Sequence, residues 1–270
     1  MLTRYDLADL IGQYPATLQE PKFHRYILRE YLELSILEHL MSSSVAEKLT
    51  FIGGTCLRIT RHIDRWSEDL GFDCKKFSAE EFNAMSKGVE RFLKKQGYPV
   101  EMLDHDDNGP KAYRCVLNFP GLLQELGLSG HPDERFKLEI EAQDQGVNYR
   151  CEMRDVSREN FHFILRTAPD DILLSMKLSA ILGRAKGRDF YDALFLLQKT
   201  EPDFHFLNRK CGIANWNALK YRLEEKIKTV DLEKKKTDFR HLLFKEQNAD
   251  RISRFRSIVG SHPLKMIPKL

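Results

Sequence analysis

The chain has 270 residues, of which 42% are hydrophobic and 31% charged, and its formal net charge is +3. This is the composition of an ordinary globular protein with one large domain or two modest ones. The first residues lack the basic start and apolar core of a signal peptide, and no apolar run approaches the roughly 18 residues of a membrane span. We therefore expect a cytoplasmic protein with no membrane partner.

The cysteines and the basic residues bear on which kinds of site and ligand to expect. The five cysteines are scattered and form no CxxC pair, so neither a disulfide framework nor a zinc site is indicated. Basic residues crowd the C-terminal third and could steer a phosphate-bearing ligand. Acidic residues lie among them, however, and an ion-paired, solvated helix face is the preferred interpretation.

The N-terminal part predicts helices and strands in alternation. Apolar residues at helical spacing over 22–40 predict an amphipathic helix, and KLTFIGG predicts a buried strand that ends in two glycines. A helix is expected from Thr55, a second strand over DLGFDC, and a helix opened by Ser78 with Glu81 three residues on. Further strands are predicted in YPVEML, AYRCVLNF and RFKLEIEA.

The rest of the chain has a helical pattern, starting with PDDILLSMKLSAILGR and RDFYDALFLLQK. A βαβ-like opening followed by more strands predicts an α/β or α+β sheet. We expect a sheet domain with N-terminal helices over 1–168 and a helical domain over 169–270.

Acidic residues alternate with apolar ones in two of the predicted strands. In DLGFDC, alternation puts Asp69, Gly71 and Asp73 on one face, and in RFKLEIEA it puts Glu139 and Glu141 on one face. Carboxylates that converge at a sheet surface repel each other unless a hard cation lies between them. Oxygen-only ligation suits Mg²⁺, which takes one or two carboxylates plus substrate phosphates.

The glycine turn before these acids fits a phosphate-bearing ligand. Gly53 and Gly54 lack a Cβ and allow phosphates to approach the backbone, and the helix that starts at Thr55 offers N–H groups. A GGT turn alone is a weak signal. Its spacing to a same-face acid pair, with Arg65 and Ser67 just before that pair, is more specific.

These motifs together resemble those of the AbiEii/AbiGii toxin family, polymerase-β-like nucleotidyltransferases that include the MenT toxins. The resemblance covers most of the chain to about residue 200. The motifs that carry it are GGT-x-L-R (Gly53, Gly54, Thr55, Leu57, Arg58), R-x-S-x-D-L (Arg65, Ser67, Asp69, Leu70), KLEIE (137–141), K-L-x-A (Lys177, Leu178, Ala180) and R-D-x-Y-D (Arg188, Asp189, Tyr191, Asp192).

The resemblance implies a nucleotidyltransferase-like mixed sheet flanked by helices, and an enzyme that moves a nucleotide from an NTP to an acceptor such as the 3′ end of a tRNA. It also implies Mg²⁺ or Mn²⁺ as cofactor and a toxin with a cognate antitoxin or a role in phage defence. Asp69 would bind metal, Glu139 or Glu141 would be the third carboxylate, and Lys177 would contact the triphosphate. Asp189 or Asp192 would orient Lys177 or the arginines. The nucleotide-binding set would be Gly53, Gly54, Thr55, Arg58, Arg65, Ser67 and Lys177.

One position departs from the family pattern, R-x-S-x-D-L-D-F, because Gly71 stands where a second aspartate belongs. Either Asp73 takes over as ligand, which requires a bulge or bend at Gly71, or catalysis is impaired or altered. A protein-modifying nucleotidyltransferase is a further alternative.

Two rival functions come from other classes. Acids on two strands plus a lysine also describe a metal nuclease, although the GGT turn has no purpose there. A non-catalytic module would bind RNA or an antitoxin through the basic C-terminal helices. Without the resemblance, Lys177, Asp189 and Asp192 would be interpreted as ordinary ion pairs between helices.

Overall fold

In the computed structural model, which describes residues 1–107, 112–158 and 160–261, seven strands form one mixed sheet. The spatial order of the strands is β3-β4-β5-β2-β1-β7-β6. The β2–β5 and β1–β7 pairs are parallel and the other pairs are antiparallel. The strands are β1 (Leu49–Ile52), β2 (Asp69–Cys74), β3 (Glu101–Asp107), β4 (Ala112–Asn118), β5 (Lys137–Gln143), β6 (Glu152–Arg158) and β7 (Phe161–Thr167).

Helices precede, interrupt and follow this sheet. The first five are α1 (Arg4–Gly12), α2 (Pro21–Met41), α3 (Gly53–Arg61), α4 (Ala79–Lys95) and α5 (Leu122–Glu125). The C-terminal ones are α6 (Asp170–Gly183), α7 (Gly187–Leu197), α8 (Phe204–Cys211), α9 (Trp216–Lys228), α10 (Leu232–Thr237) and α11 (Phe255–Gly260). Short 3₁₀ helices at Arg240–Leu242 and Glu246–Arg254 lie between α10 and α11. None of the helices in the described part of the chain has the length and apolar character that a membrane span requires.

The chain divides into two compact units. Unit 1 comprises Met1–Arg61, Trp66–Gln145 and Glu152–Thr167, and unit 2 comprises His62–Arg65, Gly146–Cys151 and Ala168–Leu270. Unit 1 holds the sheet and α1 to α5, and unit 2 holds the C-terminal helices. Two short segments from the N-terminal half join unit 2, so the division at residue 168 stays a prediction about independent domains.

The core of unit 1 lies between one face of the sheet and the helices α2 and α4. Leu70 and Phe72 of β2 and Leu138 and Ile140 of β5 are buried on that face. Helix α4 begins with a capping box, in which Ser78 Oγ accepts from Glu81 N and the Glu81 carboxylate accepts from Ser78 N. The opposite face of β2 and β5 carries the acidic side chains.

Most predicted elements of unit 1 are confirmed, and DLGFDC matches β2 residue for residue. Strands β6 and β7 were missed. β6 is an edge strand in which only Val156 is buried, and in β7 only Phe161, Leu165 and Thr167 are buried. The apolar alternation that predicts a strand is therefore weak in both. The opening is also not a parallel βαβ unit, since β1 and β2 are antiparallel.

Unit 2 is helical, as predicted for the C-terminal part, and it packs around α6 and α7. Helix α7 begins at Gly187, where a Cβ would clash with the Lys235 carbonyl oxygen. Glycine is therefore required there, because a side chain would displace α10.

Candidate active site

Asp69 and Glu139 are neighbours on adjacent parallel strands. The register of β2 and β5 pairs Asp69 with Glu139 and Gly71 with Glu141. Neighbouring strands lie about 4.8 Å apart, so the two residues of each pair are close together and their side chains lie on the same face of the sheet. Asp69 and Glu139 are partly exposed and Glu141 is exposed. The predicted alignment of the two acidic strand faces is thus present.

Asp73 has a different environment from Asp69. Its side chain is 1% exposed, and its carboxylate accepts a hydrogen bond from Gln145 N at 2.9 Å and lies 3.4 Å from Lys75 Nζ. The register of β2 with β5 is unbroken from Asp69 to Asp73, so no bulge shortens the strand between them. Four residues of extended strand span about 13 Å. This geometry argues against Asp73 as a ligand of an ion held by Asp69, and it indicates that Asp73 anchors the end of β5.

Packing does not require a glycine at position 71. A Cβ there would meet the Ile52 carbonyl oxygen at 3.6 Å and Ile52 Cγ1 at 3.9 Å, which are ordinary contacts. The backbone of Gly71 is also not in the left-handed region. An aspartate would fit, so the departure from the family pattern is a chemical difference and has no steric cause. In the register of the two strands, Gly71 is paired with Glu141 of β5, so Glu141 is the acid beside the position where the family pattern has its second aspartate.

Glu139 is already paired with a cation. Arg114 of β4 donates from Nη2 to Glu139 Oε1 at 2.7 Å and from Nε to Oε2 at 3.1 Å. Such a bidentate pair fixes the direction of the carboxylate. Arg114 was not predicted as a functional residue, although its position on a strand beside the acidic β5 was a usable signal.

The carboxylates of Asp69, Glu139 and Glu141 are the oxygen donors that Mg²⁺ prefers, and one or two of them suffice when substrate phosphates complete the coordination. No group of three or more His, Cys, Asp or Glu side chains arranged for a metal is found within the described residues. One or two of these carboxylates would fit an ion whose coordination is completed by the phosphates of a nucleotide.

The glycine turn is connected directly to the acidic strand. Gly53 has φ +86° and opens α3, and a Cβ at this position would meet nothing within 4 Å. Thr55 is fully buried, and its Oγ1 donates to the Asp69 carbonyl oxygen at 2.6 Å. Thr55 therefore holds the start of β2 against α3, and its hydroxyl is used inside the protein. Ser67 is partly exposed just before β2.

Arg58, predicted to bind nucleotide, lies in the core of unit 1. Its Nε donates to Glu30 Oε2 at 2.7 Å and its Nη2 to Glu30 Oε1 at 3.0 Å. Arg158 and Tyr14 also donate to Glu30 Oε1, at 2.6 and 3.0 Å. Burial raises the pKa of the Glu30 carboxyl, but Arg58 and Arg158 lower it by more, so the net pKa is below its ordinary value. Arg58 therefore stabilises the fold, and the sequence pattern could not reveal its partner, Glu30, 28 residues away.

The predicted cationic residues of unit 2 meet at Asp192. Arg65 donates from Nε to Asp192 Oδ1 and from Nη2 to Oδ2, both at 2.7 Å, and Lys177 Nζ lies 2.7 Å from Oδ2. The side chains of Arg65 and Asp192 are 1% and 0% exposed. Burial raises the pKa of Asp192, but Arg65 and Lys177 lower it by more, so the carboxyl pKa is depressed. The structure thus brings together Arg65, Lys177 and Asp192.

Asp189 forms a second buried centre beside the first. Arg184 donates to its two oxygens at 2.9 and 3.0 Å, and the Lys186 backbone N–H donates at 3.2 Å. Lys177 Nζ is 4.0 Å from Asp189 Oδ1. Asp189 is therefore mainly a partner of Arg184, and Asp192 is the main partner of Lys177.

Many of the C-terminal basic residues are engaged with acids or carbonyl groups. Lys228 pairs with Glu225, Lys235 with Asp238, and Lys236 with both Glu233 and Asp250. These contacts support the preferred interpretation of an ion-paired, solvated helix face.

Comparisons with known proteins identify the family and the fold. The family model for "Nucleotidyl transferase AbiEii toxin, Type IV TA system" matches residues 35–264. The fold is similar to JHP933 from Helicobacter pylori, with a TM-score of 0.52 and 18% identity over 87% of this chain and 91% of that one. It is also similar to MenT4, a nucleotidyltransferase toxin from Mycobacterium tuberculosis H37Rv, with a TM-score of 0.51 and 15% identity over 96% and 99% of the two chains.

No curated protein sequence matches this chain. The structural likenesses, at these identities, establish a nucleotidyltransferase-like fold. The family match extends over most of the chain and includes the acidic strands and the Lys177–Asp192 pair. The chain therefore belongs to the AbiEii nucleotidyltransferase toxin family.

Proposed function

We propose that this chain uses a divalent cation, Mg²⁺ or Mn²⁺, to transfer a nucleotide from an NTP to an RNA, with the 3′ end of a tRNA as the acceptor. The acceptor hydroxyl attacks the α-phosphorus, the bond from that phosphorus to the bridging oxygen breaks, and pyrophosphate leaves. The hydroxyl proton passes to a carboxylate on β5. Asp69 and Glu141 would hold the cation, which would neutralise the charge that develops on the phosphoryl oxygens.

The observation that carries this proposal is the pairing of Asp69 with Glu139 in register on one face of the sheet. Asp69 is the first metal-binding carboxylate. We assign the second to Glu141, which is exposed and paired with Gly71, rather than to the buried Asp73. Glu139, which Arg114 orients, is the acid on β5 best held to accept the acceptor proton.

Gly53, Gly54, Ser67 and Lys177 are the proposed nucleotide-binding residues. The turn at Gly53 and Gly54 lets phosphates approach the backbone, and Ser67 lies just before the acidic strand. In unit 2, Lys177 contacts the triphosphate, and Asp192 holds Lys177 and Arg65 in place. Asp189, which Arg184 holds, lies 4.0 Å from Lys177 Nζ and is a second acid beside the same ammonium group. Membership of a toxin–antitoxin family supports a cognate antitoxin as partner.

Incubation with each α-³²P-labelled NTP, Mg²⁺ or Mn²⁺ and total RNA tests the proposal. We expect label at the 3′ end of a tRNA-sized species, without shortening, and its loss in Asp69→Asn. RNA fragments without end label would instead establish a nuclease. Label in protein would establish a protein-modifying enzyme, and equal behaviour of wild type and Asp69→Asn would exclude catalysis at Asp69.

The missing aspartate favours a second candidate, a catalytically impaired relative. Glu141→Gln and Gly71→Asp separate the two. If Glu141 supplies the second carboxylate, Glu141→Gln loses transfer and the Glu141→Gln/Gly71→Asp double variant regains it. If the natural chain is impaired, wild type is inert and Gly71→Asp alone gains transfer, which the ordinary contacts of a Cβ at position 71 permit.

A further inference from the structure

In unit 2, two consecutive residue pairs lie side by side. Arg65 binds Asp192, and the preceding residues, Asp64 and Tyr191, bind each other, with Tyr191 Oη donating to Asp64 Oδ1 at 2.8 Å. We call Arg65–Asp192 the inner pair and Asp64–Tyr191 the outer pair. The members of the two pairs are adjacent along both chain segments, so the main chain links the outer pair to the inner pair.

The C-terminal segment, residues 240–254, holds the outer pair from a different part of the chain. Asn248 Nδ2 donates to Asp64 Oδ2 at 2.8 Å, and Arg251 Nη1 lies 3.3 Å from the same oxygen and donates to Tyr191 Oη at 3.0 Å. The Arg251 guanidinium also lies over the Tyr191 ring, 5.6 Å from its centroid. Two polar side chains, Asn248 and Arg251, thus converge on two side chains that the proposed chemistry does not use.

The backbone around Arg65 is held by the same segment. Phe244 N donates to the Asp64 carbonyl oxygen at 3.3 Å, and Arg65 forms an isolated antiparallel bridge with Leu243. The C-terminal segment therefore contacts both the side chain that precedes Arg65 and the main chain at Arg65.

We infer that the C-terminal segment positions the Lys177 ammonium group for the triphosphate. Arg251 and Asn248 hold the outer pair, the outer pair holds the inner pair, and Asp192 of the inner pair holds Lys177. Asp64, Tyr191, Asn248 and Arg251 are positioning residues, and none of them contacts the nucleotide. This inference rests on the proposed role of Lys177 in nucleotide binding.

The exposure of these residues separates positioning from core packing. The side chains of Asp64 and Arg251 are 33% and 28% exposed, so their polar groups can be changed without opening a cavity. Tyr191 is 2% exposed, and its ring packs on Phe239 with a centroid distance of 5.4 Å. Tyr191→Phe keeps that packing and removes only the hydroxyl group.

The experiment measures the Kd of the α,β-methylene analogue of whichever NTP supports transfer, by titration calorimetry, with thermal unfolding as a check on folding. We expect Arg251→Gln and Tyr191→Phe each to raise Kd about 5- to 10-fold, the size of coupling found between residues in one network. Arg251→Lys, which keeps the charge, should restore part of the affinity.

Lys220→Gln is the matched control. Lys220 also ties the C-terminal part of the chain, through the Gly260 carbonyl oxygen at 2.9 Å, and its side chain is 32% exposed. Lys220 belongs to neither pair, so the Kd of the Lys220→Gln variant should equal that of wild type.

A double-variant cycle identifies the path. In a Lys177→Gln background, Arg251→Gln should change Kd less than about 2-fold, because the group that it positions is gone. A full 5- to 10-fold effect in that background, or no effect of Arg251→Gln and Tyr191→Phe in the wild type, overturns the inference. If Lys177→Gln itself leaves Kd unchanged, the proposed role of Lys177 fails, and the inference fails with it.

Discussion

On the acidic face of the sheet in unit 1, Asp69 and Glu141 reach solvent, whereas Asp189 and Asp192 of unit 2 are 0% exposed and bound to cationic side chains. A buried carboxylate persists only when paired, because an unpaired one carries a desolvation penalty of several kcal/mol. An exposed one remains able to bind an ion from solution. In the proposed mechanism, acidic residues are therefore metal ligands in unit 1, whereas in unit 2 they hold cationic side chains in place. Four substitutions test this contrast.

Replacing an exposed acid should remove activity and leave stability unchanged. Asp69→Asn should lower kcat about 10³-fold, because it removes the carboxylate proposed to bind the metal, while Tm changes little. Nucleotide transfer and thermal unfolding measure the two quantities. Asp155→Asn, an exposed acid on β6 of the same sheet, is the matched control and should alter neither. A large drop in Tm for Asp69→Asn would contradict the distinction between the two regions.

Replacing a buried acid of unit 2 should reduce both stability and nucleotide affinity. Asp192→Asn leaves Arg65 buried without its charged partner, which should cost about 3–5 kcal/mol of unfolding free energy. Chemical denaturation provides the measurement. Asp238→Asn, which affects an exposed pair with Lys235, should cost less than about 1 kcal/mol.

The pH dependence of this difference has a defined sign. Because the pKa of Asp192 is lowered in the folded protein, the stability it contributes is present above the ordinary carboxyl pKa and is lost as the pH falls through the folded value. Wild type and Asp192→Asn should therefore converge in stability below about pH 4. A difference that stays constant down to pH 2 would contradict the charged pairing.

Unit 1 also contains a buried acid of the paired kind, in Glu30 on α2. Glu30→Gln should destabilise the fold by about 3 kcal/mol, because Arg58 and Arg158 lose their anionic partner. Chemical denaturation, with amide hydrogen exchange in α2 and α3 as the probe of unit 1, measures the loss of stability. Transfer by the protein that remains folded should be normal, which also tests the assignment of Arg58 to the core.

Replacing Glu33, three residues further along the same helix, should raise the stability of the protein instead of lowering it. Burial raises the pKa of its carboxyl well above the ordinary value, and its Oε1 has no hydrogen-bond partner among the described residues. The raised pKa means that the stability associated with the protonated form is lost as the pH rises. Glu33→Gln should therefore raise Tm by about 2–4 °C at pH 8 and have little effect at pH 4.

Several features of the fold were predictable from local pattern. The alternation in DLGFDC predicted β2 and its acidic face, and the Ser78–Glu81 spacing predicted the start of α4. The motif order from Gly53 to Asp192 indicated the family. Edge strands such as β6, whose buried face is narrow, lack the apolar period on which such predictions depend.

The sequence by itself determined which residue types are available: acids on alternate positions of two strands, a glycine turn and a lysine followed by two aspartates. Only the tertiary structure decided their partners, because ion pairs and strand register join residues far apart in the chain. It paired Gly71 with Glu141, enclosed Arg58 with Glu30 and placed Arg65 and Lys177 on one carboxylate. Burial then decided which of these charges serve folding, since a charge withdrawn from water must be neutralised within the protein.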